Sequence, residues 1–248
     1  MRAWRFAVLG IAAYGLFLLA TMPASVALAR VALPPGVHVD RVTGSVWHGS
    51  LRAVLDAPAG ALTLDGIQWR LAPGALLTGR IACDVTAASP LLTGRMRVSR
   101  GFTRTALDDV DLVADARLAA AASPLAGAWR PQGRIALQAP HLDWDGRQAF
   151  RGDGQVEWRQ AVVTLPDAKA LGSYRAQLHG DGGPARLTLA TLEGALVLRG
   201  EGTWSPEAFD FKGDARAQGP GADTVTPLLD LIGPRRADGS RPIAVRWP

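Results

Sequence analysis

The fold follows from one stretch of sequence, Gly44-Ser45-Val46-Trp47-His48-Gly49-Ser50-Leu51-Arg52-Ala53-Val54-Leu55-Asp56. From Gly44 onward the polarity repeats every two residues. One parity carries Trp47, Leu51, Ala53 and Leu55, whereas the other carries His48, Ser50, Arg52 and Asp56. Because successive side chains of a strand point to opposite faces, this stretch predicts a β-strand with one apolar and one solvated face.

The same alternation recurs along the rest of the chain. It is found in Ile81–Ala87, Leu92–Ser99, Ser173–His179, Phe209–Arg216 and Ile243–Trp247. Such alternation is typical of antiparallel sheets with one packed face, because buried parallel strands read as continuous apolar runs. We therefore expect a mainly β fold, an elongated antiparallel sheet or two stacked sheets, with about eleven or twelve strands.

Three segments depart from the alternation. The apolar parity switches at Asp65-Gly66, which predicts a β-bulge there. Asp223–Ile232 has an apolar helical face, a cap at Asp223 or Thr224 and a stop at Gly233-Pro234, so it predicts a helix. The alanine-rich segment Ala116–Ala128 predicts a short helix or a covering loop.

An uncharged apolar stretch of 24 residues, Phe6–Ala29, precedes the strands. Roughly 20 apolar residues cross a bilayer as a helix, and Arg2 and Arg5 before it favour a cytoplasmic amino end. We therefore expect residues 1–30 to form a cytoplasmic stub and a single transmembrane anchor. Residues 31–248 are expected to form a β-rich domain in the periplasm.

A cleaved signal peptide is the alternative for this stretch. Ala27-Leu28-Ala29 fits the small-x-small cleavage pattern. The apolar run is longer than the usual signal-peptide core of about 7–15 residues, which favours a retained anchor in the inner membrane. With either outcome the chain leaves the cytoplasm.

Composition excludes several classes of protein. The chain has 248 residues, 48% of them hydrophobic, and a single cysteine. This is too apolar for a disordered chain, and one cysteine excludes a disulfide framework or a cysteine-rich zinc site. Beyond residue 30 the balance is 24 basic against 22 acidic residues, so a nucleic-acid partner is not expected.

Residues with catalytic potential are scattered. The sequence has no G-x-S-x-G, H-E-x-x-H, phosphate-loop or C-x-x-C motif. None of its four histidines, His38, His48, His141 and His179, has a second ligand two or four residues away. Cys83 alternates with apolar residues as a small buried side chain would. We therefore predict no catalytic residue, metal, cofactor or small-molecule substrate, and no enzymatic activity.

Two further expectations concern aromatic and acidic residues. Trp47 has the parity of the apolar face and is expected in the core, whereas His48 is expected in water. Gly44 and Gly49 flank the pair, where a Cβ would obstruct a tight turn or the packing beside Trp47. Asp143–Gly146 is predicted to be a hairpin turn rather than a calcium loop. Four tryptophans are predicted to fill a sheet core or to line an apolar groove: Trp47, Trp69, Trp158 and Trp247.

Several short motifs, taken in succession, resemble one known family. They are Gly44–Gly49, Gln68–Pro73 followed by Leu76–Gly79, and Pro227–Gly233 followed by Asp238-Gly239. This succession is similar to that of the type II secretion system protein N family, with Ser45 and His48 departing slightly from its first motif. The resemblance assigns structural motif roles to Gly44, Trp47, Gly49, Trp69, Leu71, Pro73, Gly79, Leu228, Leu229 and Gly233.

The resemblance implies an accessory inner-membrane component of the machine that exports folded proteins from the periplasm across the outer membrane. Its expected partners are the inner-membrane platform or the ring that reaches the outer membrane, together with inner-membrane lipids. A periplasmic lipid-binding or lipid-transfer protein is the alternative. The cover of the apolar face distinguishes the two, because an open apolar trough would favour lipid.

Overall fold

The computed structural model describes residues 36–57, 60–122, 124–146, 150–164, 168–205 and 207–247. Of the preceding segment it describes residues 10, 14–15, 17–18, 20–29 and 33. The described residues form one antiparallel sheet of thirteen strands, in which each strand pairs with the next along the chain. The prediction of a mainly β, antiparallel fold is confirmed, with slightly more strands than expected.

The strands follow one another with few long connections. Their bounds are β1 Val37–Gly44, β2 His48–Leu55, β3 Leu62–Leu71, β4 Ile81–Ala88, β5 Leu92–Arg100, β6 Thr105–Asp115, β7 Gln132–Trp144, β8 Phe150–Thr164, β9 Ala168–Asp181, β10 Ala185–Glu193, β11 Leu196–Trp204, β12 Phe209–Ala217 and β13 Arg241–Trp247.

The strand register aligns side chains of one kind across the whole sheet. One row of successive cross-strand partners is apolar or glycine from end to end: Val42, Leu51, Ile67, Ala87, Gly94, Leu112, Leu137, Val156, Ala176, Leu189, Gly200, Gly213 and Ile243. Cross-strand partners share a face, so this row defines the apolar face of the sheet. The neighbouring row, from Thr43 and Ser50 to Glu201 and Lys212, belongs to the polar face.

The predicted bulge is present in β3. Leu51 pairs with Ile67, but Ala53 pairs with Leu64, so Asp65 and Gly66 share one position of the partner strand. Gly66 has φ +69°, a conformation that glycine adopts without strain. The bulge restores Leu64 and Ile67 to the same apolar face and thus explains the switch of parity in the sequence.

Five short helices have both ends within the described residues: α1 Ala24–Leu28, α2 Pro73–Leu76, α3 Arg117–Ala122, α4 Pro124–Trp129 and α5 Ala222–Ile232. Residues 10, 14–15, 17–18 and 20–21 are also helical. The predicted helix at Asp223–Ile232 is α5, which begins one residue earlier. Its N-cap is Gly221, without a side-chain cap, so the predicted cap at Asp223 or Thr224 is wrong. The alanine-rich segment contains α3 and most of α4.

The main buried core lies where α5 packs on the apolar face. Its buried residues come from β8, β9, β11, β12 and α5: Ala161, Val163, Leu171, Tyr174, Leu196, Ala215, Val225 and Leu229. The hydroxyl of Tyr174 donates a hydrogen bond to the carbonyl of Leu196 at 3.0 Å. Burial raises the pKa of Tyr174, which keeps this donor protonated.

Within the described residues, no helix combines the length and apolarity required to cross a membrane. Nine of the 24 residues of the predicted anchor Phe6–Ala29 lie outside the described residues, so a membrane crossing stays a prediction. Its carboxyl-terminal bound differs from the expectation: Met22 and Pro23 are not helical, and Pro23 forms a β-bridge with Ser45. Ala24–Leu28 is a separate helix, because the bridge interrupts the helical backbone before it.

Candidate functional site

The turn between β1 and β2 joins the preceding segment of the chain to the sheet. The amide of Val46 donates to the carbonyl of Met22 at 3.0 Å, and Pro23 pairs with Ser45. The turn therefore holds two residues from the last part of the predicted membrane anchor. We call this turn, together with Met22 and Pro23, the junction.

The indole of Trp69 closes the junction from β3. Its Nε1 donates to the carbonyl of Val46 at 3.1 Å. A Cβ on Gly49 would lie 2.4 Å from Cζ2 of Trp69, so the ring occupies the space above this glycine. The amide of Leu71 donates to the carbonyl of Trp47 at 2.7 Å. Two motifs separated in sequence thus form one packed unit.

Two expectations for the junction have different outcomes. His48 is exposed, as its parity predicts. Trp47 is half-buried in the turn before β2 and is not among the buried core residues, so the expected place in the core is wrong. The buried core lies under α5, at the opposite end of the strands from Trp47. Two neighbours require Gly49, because an added Cβ would lie 2.4 Å both from Cζ2 of Trp69 and from the carbonyl oxygen of Thr43.

The structure places the family-motif residues in two separate regions. Gly44, Trp47, Gly49, Trp69 and Leu71 meet at the junction. Pro73 opens α2 and Gly79 lies in the same turn, at the same end of the sheet. The remaining three lie in or just after α5, at the opposite end of the strands: Leu228, Leu229 and Gly233.

Sequence reasoning missed Arg241, which fixes the end of α5. Its side chain is buried, pairs with Asp230 and donates from Nε to the carbonyl of Gly233 at 3.1 Å. Buried arginines usually need such partners. An arginine at the start of an alternating strand reads as an ordinary solvated residue, so no sequence signal marked it.

The apolar face is only partly covered. Helix α5 covers the core described above, and the described residues contain no second sheet. Leu112, Leu137 and Ala176 in the central strands are half-buried, and Val156 is 37% exposed. Trp158 is half-buried beside Tyr174, with ring centroids 6.3 Å apart, whereas the side chain of Trp247 lies outside the described parts. The face thus combines a covered core with a half-exposed centre.

The sheet is curved, as one cavity shows. A space of about 740 Å³ is lined by Ala57 and Leu62 near the β2–β3 turn, by Arg117 of α3, and by Gln132 and Thr164 of β7 and β8. In a flat sheet, strands five positions apart would be separated by roughly 24 Å. The curvature and the α3–α4 segment therefore bring distant strands to one cavity.

Basic and acidic side chains alternate along a second row of the polar face as far as His179. Its successive cross-strand partners are Arg70, Asp84, Arg97, Asp108, His141, Asp153, His179 and Arg186. Opposite charges on neighbouring strands stabilise the pairing. The row crosses eight strands, and its polar side chains keep this face solvated.

Three of the four histidines have an aspartate partner. Nε2 of His38 lies 3.0 Å from Oδ2 of Asp56. In the alternating row, Nδ1 of His141 lies 2.5 Å from Oδ1 of Asp108, and Nδ1 of His179 lies 2.6 Å from Oδ1 of Asp153. All three side chains are more than half exposed. In the described residues no group of three His, Cys, Asp or Glu side chains is arranged to hold a metal ion. This geometry therefore indicates that the histidine–aspartate pairs stabilise the pairing of neighbouring strands.

Cys83 lies on the apolar face between Leu71 and Val98. It is half-buried, and burial raises the pKa of its thiol. A raised pKa lowers the thiolate fraction and hence the nucleophilicity. The geometry therefore agrees with the expected structural role.

Glu157 is a buried carboxylate on the polar face. Its side chain is 7% exposed and contacts Arg159 at 2.6 Å and Arg175 at 2.8 Å. Gln155 donates a further hydrogen bond at 3.1 Å. The hydrogen bonds from Arg159 and then Arg175 lower the pKa of Glu157 below its ordinary value of 4.5.

We expect Glu157→Gln to remove a pH-dependent part of the stability. A carboxylate with a lowered folded-state pKa stabilises the fold above the unfolded pKa and loses this contribution as the pH falls through the folded value. The difference in free energy of unfolding between wild type and variant should therefore be largest above pH 4.5 and shrink below it. Urea unfolding over a pH series measures this difference. A difference that stays constant with pH would contradict the assignment, and the variant Glu201→Gln, at an exposed glutamate, is the matched control.

The comparisons with known proteins agree with the motifs placed above. The chain is similar to Type II secretion system protein N of Vibrio cholerae serotype O1, with 26% identity over 148 residues. The alignment covers 58% of each protein, so the chain spans little more than half the length of that relative. No solved structure matches the chain.

The family profile covers much more of the sequence. The profile described as type II secretion system (T2SS), protein N matches residues 35–244. The match includes the junction turn, the whole sheet up to β13, and α5. All ten motif residues lie within it. On this match the chain belongs to the type II secretion system protein N family.

Proposed function

We propose that the protein is an accessory structural component of the type II secretion system, anchored in the inner membrane. The family match over residues 35–244 carries this proposal. Family membership suggests a component that acts through contacts with other proteins of the machine rather than through catalysis. The expected partners are the inner-membrane platform or the ring that reaches the outer membrane.

The sheet offers surfaces suited to such contacts. In the described residues, β1 and β13 each have a strand partner on one side only. Unpaired strand edges can add a strand from another chain. The apolar stretch Phe6–Ala29 would hold the β1 edge beside the membrane, because its residues Met22 and Pro23 are tied to the first hairpin.

Deletion of the gene from a strain with a working secretion system tests the proposal. We expect the exported proteins to accumulate in the periplasm, or other components of the system to fall in abundance, with recovery on expression of the full chain. Exported activity in the medium and component levels in membranes are the measurements. Unchanged values of both in the deletion strain would contradict the proposal.

Lipid binding on the apolar face is the second candidate function. The half-exposed row through Leu112, Leu137 and Val156 favours it, because apolar surface left open in the middle of a sheet suits acyl chains. Lipid extraction and mass spectrometry of the purified chain test it. A deletion that alters lipid distribution between the membranes but leaves secretion unchanged would favour this candidate over the first.

A further inference from the structure

We infer that the end of the sheet at the junction lies against the bilayer surface, with Leu77 and Phe102 in the headgroup region. This end, which we call the junction end, carries residues 45–47, 72–80, 101–104 and 145–146 at the turns between β1 and β8. The inference rests on the proposed anchoring in the inner membrane. It adds a second, peripheral contact with lipid.

The first observation is the exposure of large apolar side chains at this end. Leu77 is 92% exposed and Phe102 is 94% exposed. Trp144, Ile81 and Leu76 are also exposed there. Exposed apolar side chains that cluster, rather than occur singly, mark a surface for membrane or protein.

The second observation is that three neighbouring turns form one continuous surface. The ring of Phe102 lies against Gly79, since a Cβ on that glycine would be 2.8 Å from Cε2 of the ring. Residues 101–104 share one hollow with Thr78, Gly79 and Arg80, and another with Trp144 and Asp145. The turns from β3 to β8 thus present their apolar side chains together.

The third observation selects a bilayer as the occupant. The junction ties Met22 and Pro23 to Ser45 and Val46 at this same end. An anchor that leaves the membrane before Met22 therefore brings this end of the strands to the lipid. The antiparallel strands run between the two ends of the sheet. The opposite end, which carries α5, therefore points away from the membrane.

The charged residues at the junction end suit a headgroup region. Arg80, Arg100 and Arg104 are exposed there, and the acidic neighbours are Asp143, which pairs with Arg104 at 3.2 Å, and Asp145. Aromatic and leucine side chains combined with arginine are typical of surfaces that lie at the interface of a membrane. The contact is therefore expected to be stronger with anionic lipids.

Site-directed fluorescence on the full chain tests the inference. In a Cys83→Ser background, Leu77→Cys and Phe102→Cys are labelled with an environment-sensitive dye and reconstituted into vesicles of phosphatidylethanolamine and phosphatidylglycerol. Some lipids carry a spin label near the headgroup. We expect a blue shift and quenching of the dye at both positions. Leu192→Cys, exposed at the opposite end of the sheet, is the control and should show neither.

The outcomes separate this inference from the anchoring on which it rests. Chain that fails to float with the vesicles would contradict both. Chain that floats with the vesicles, while the dyes at positions 77 and 102 resemble the dye at 192, would overturn the inference alone. The two labelled positions are fully exposed, so circular dichroism of each variant should match the wild type.

Discussion

Leu229→Ala should lower the free energy of unfolding by about 2–5 kcal/mol, the range for a fully buried leucine truncated to alanine. Leu229 is 1% exposed and contributes to the cluster formed by α5 with β8, β9, β11 and β12. Truncation leaves a cavity beneath the helix, which Pro227 already weakens by removing one backbone donor. Urea unfolding of the purified full chain, monitored by far-ultraviolet circular dichroism, measures the loss.

The same substitution at an exposed position is the matched control. Leu77 is 92% exposed, so Leu77→Ala should change the free energy of unfolding by no more than about 0.5 kcal/mol. Equal effects at the two positions would show that α5 does not pack on the sheet. A large effect at Leu229 alone establishes this helix as the cover of the core.

The sequence allowed the sheet to be predicted well because side-chain alternation reports directly on its faces. The parity switch at Asp65-Gly66 located a bulge, since one extra residue exchanges the two faces. The helix at α5 was predictable because its apolar face is followed by Gly233-Pro234. These features depend on neighbours in sequence and require no knowledge of tertiary contacts.

Features that depend on the strand register could not be predicted. The His141–Asp108 and His179–Asp153 pairs join residues 33 and 26 positions apart. Arg241 is buried only because α5 returns over the start of β13. The alternation identifies the apolar face but does not say what covers it, so the sequence is compatible both with a secretion component and with a lipid-binding protein.

The contacts of the junction could not be predicted from the sequence for a different reason. Met22 and Pro23 continue the apolar composition of Phe6–Ala29, so composition alone extends the predicted anchor through them. The bridge between Pro23 and Ser45 is a backbone interaction and leaves no trace in hydropathy. The family motif around Gly44 marked the location, but its role became clear only from the contacts.

Gly44→Ala should destabilise the chain by about 2–4 kcal/mol, because two effects add. Gly44 has φ +95°, which strains any residue with a side chain. Its added Cβ would also lie 2.4 Å from the carbonyl oxygen of His48 and 2.7 Å from Cα of Gly49. Both obstacles are backbone atoms, so no side-chain rotation relieves the contact. Urea unfolding of the full chain measures the effect.

Two other glycines separate these effects. Gly219 has φ +70° but nothing within 4 Å of an added Cβ, so Gly219→Ala reports the backbone strain alone. Gly74 has neither an unusual φ nor a close neighbour, so Gly74→Ala should change the free energy of unfolding by no more than about 0.5 kcal/mol. If Gly44→Ala and Gly219→Ala lowered the free energy of unfolding equally, the close approach of the two strands at the junction would be wrong.

Amide hydrogen exchange distinguishes local opening of the junction from a general loss of stability. Relief of the contact requires the turn to open, which lengthens the hydrogen bonds from Val46 to Met22 and from Trp69 to Val46. Under native conditions, amide hydrogen exchange in residues 44–49 of Gly44→Ala should therefore be faster than in wild type. Leu229→Ala, whose cavity lies at the opposite end of the strands, should leave the native-state exchange of this segment slow. Equal exchange of the segment in both variants would show that the turn does not hold Met22 and Pro23 against the sheet.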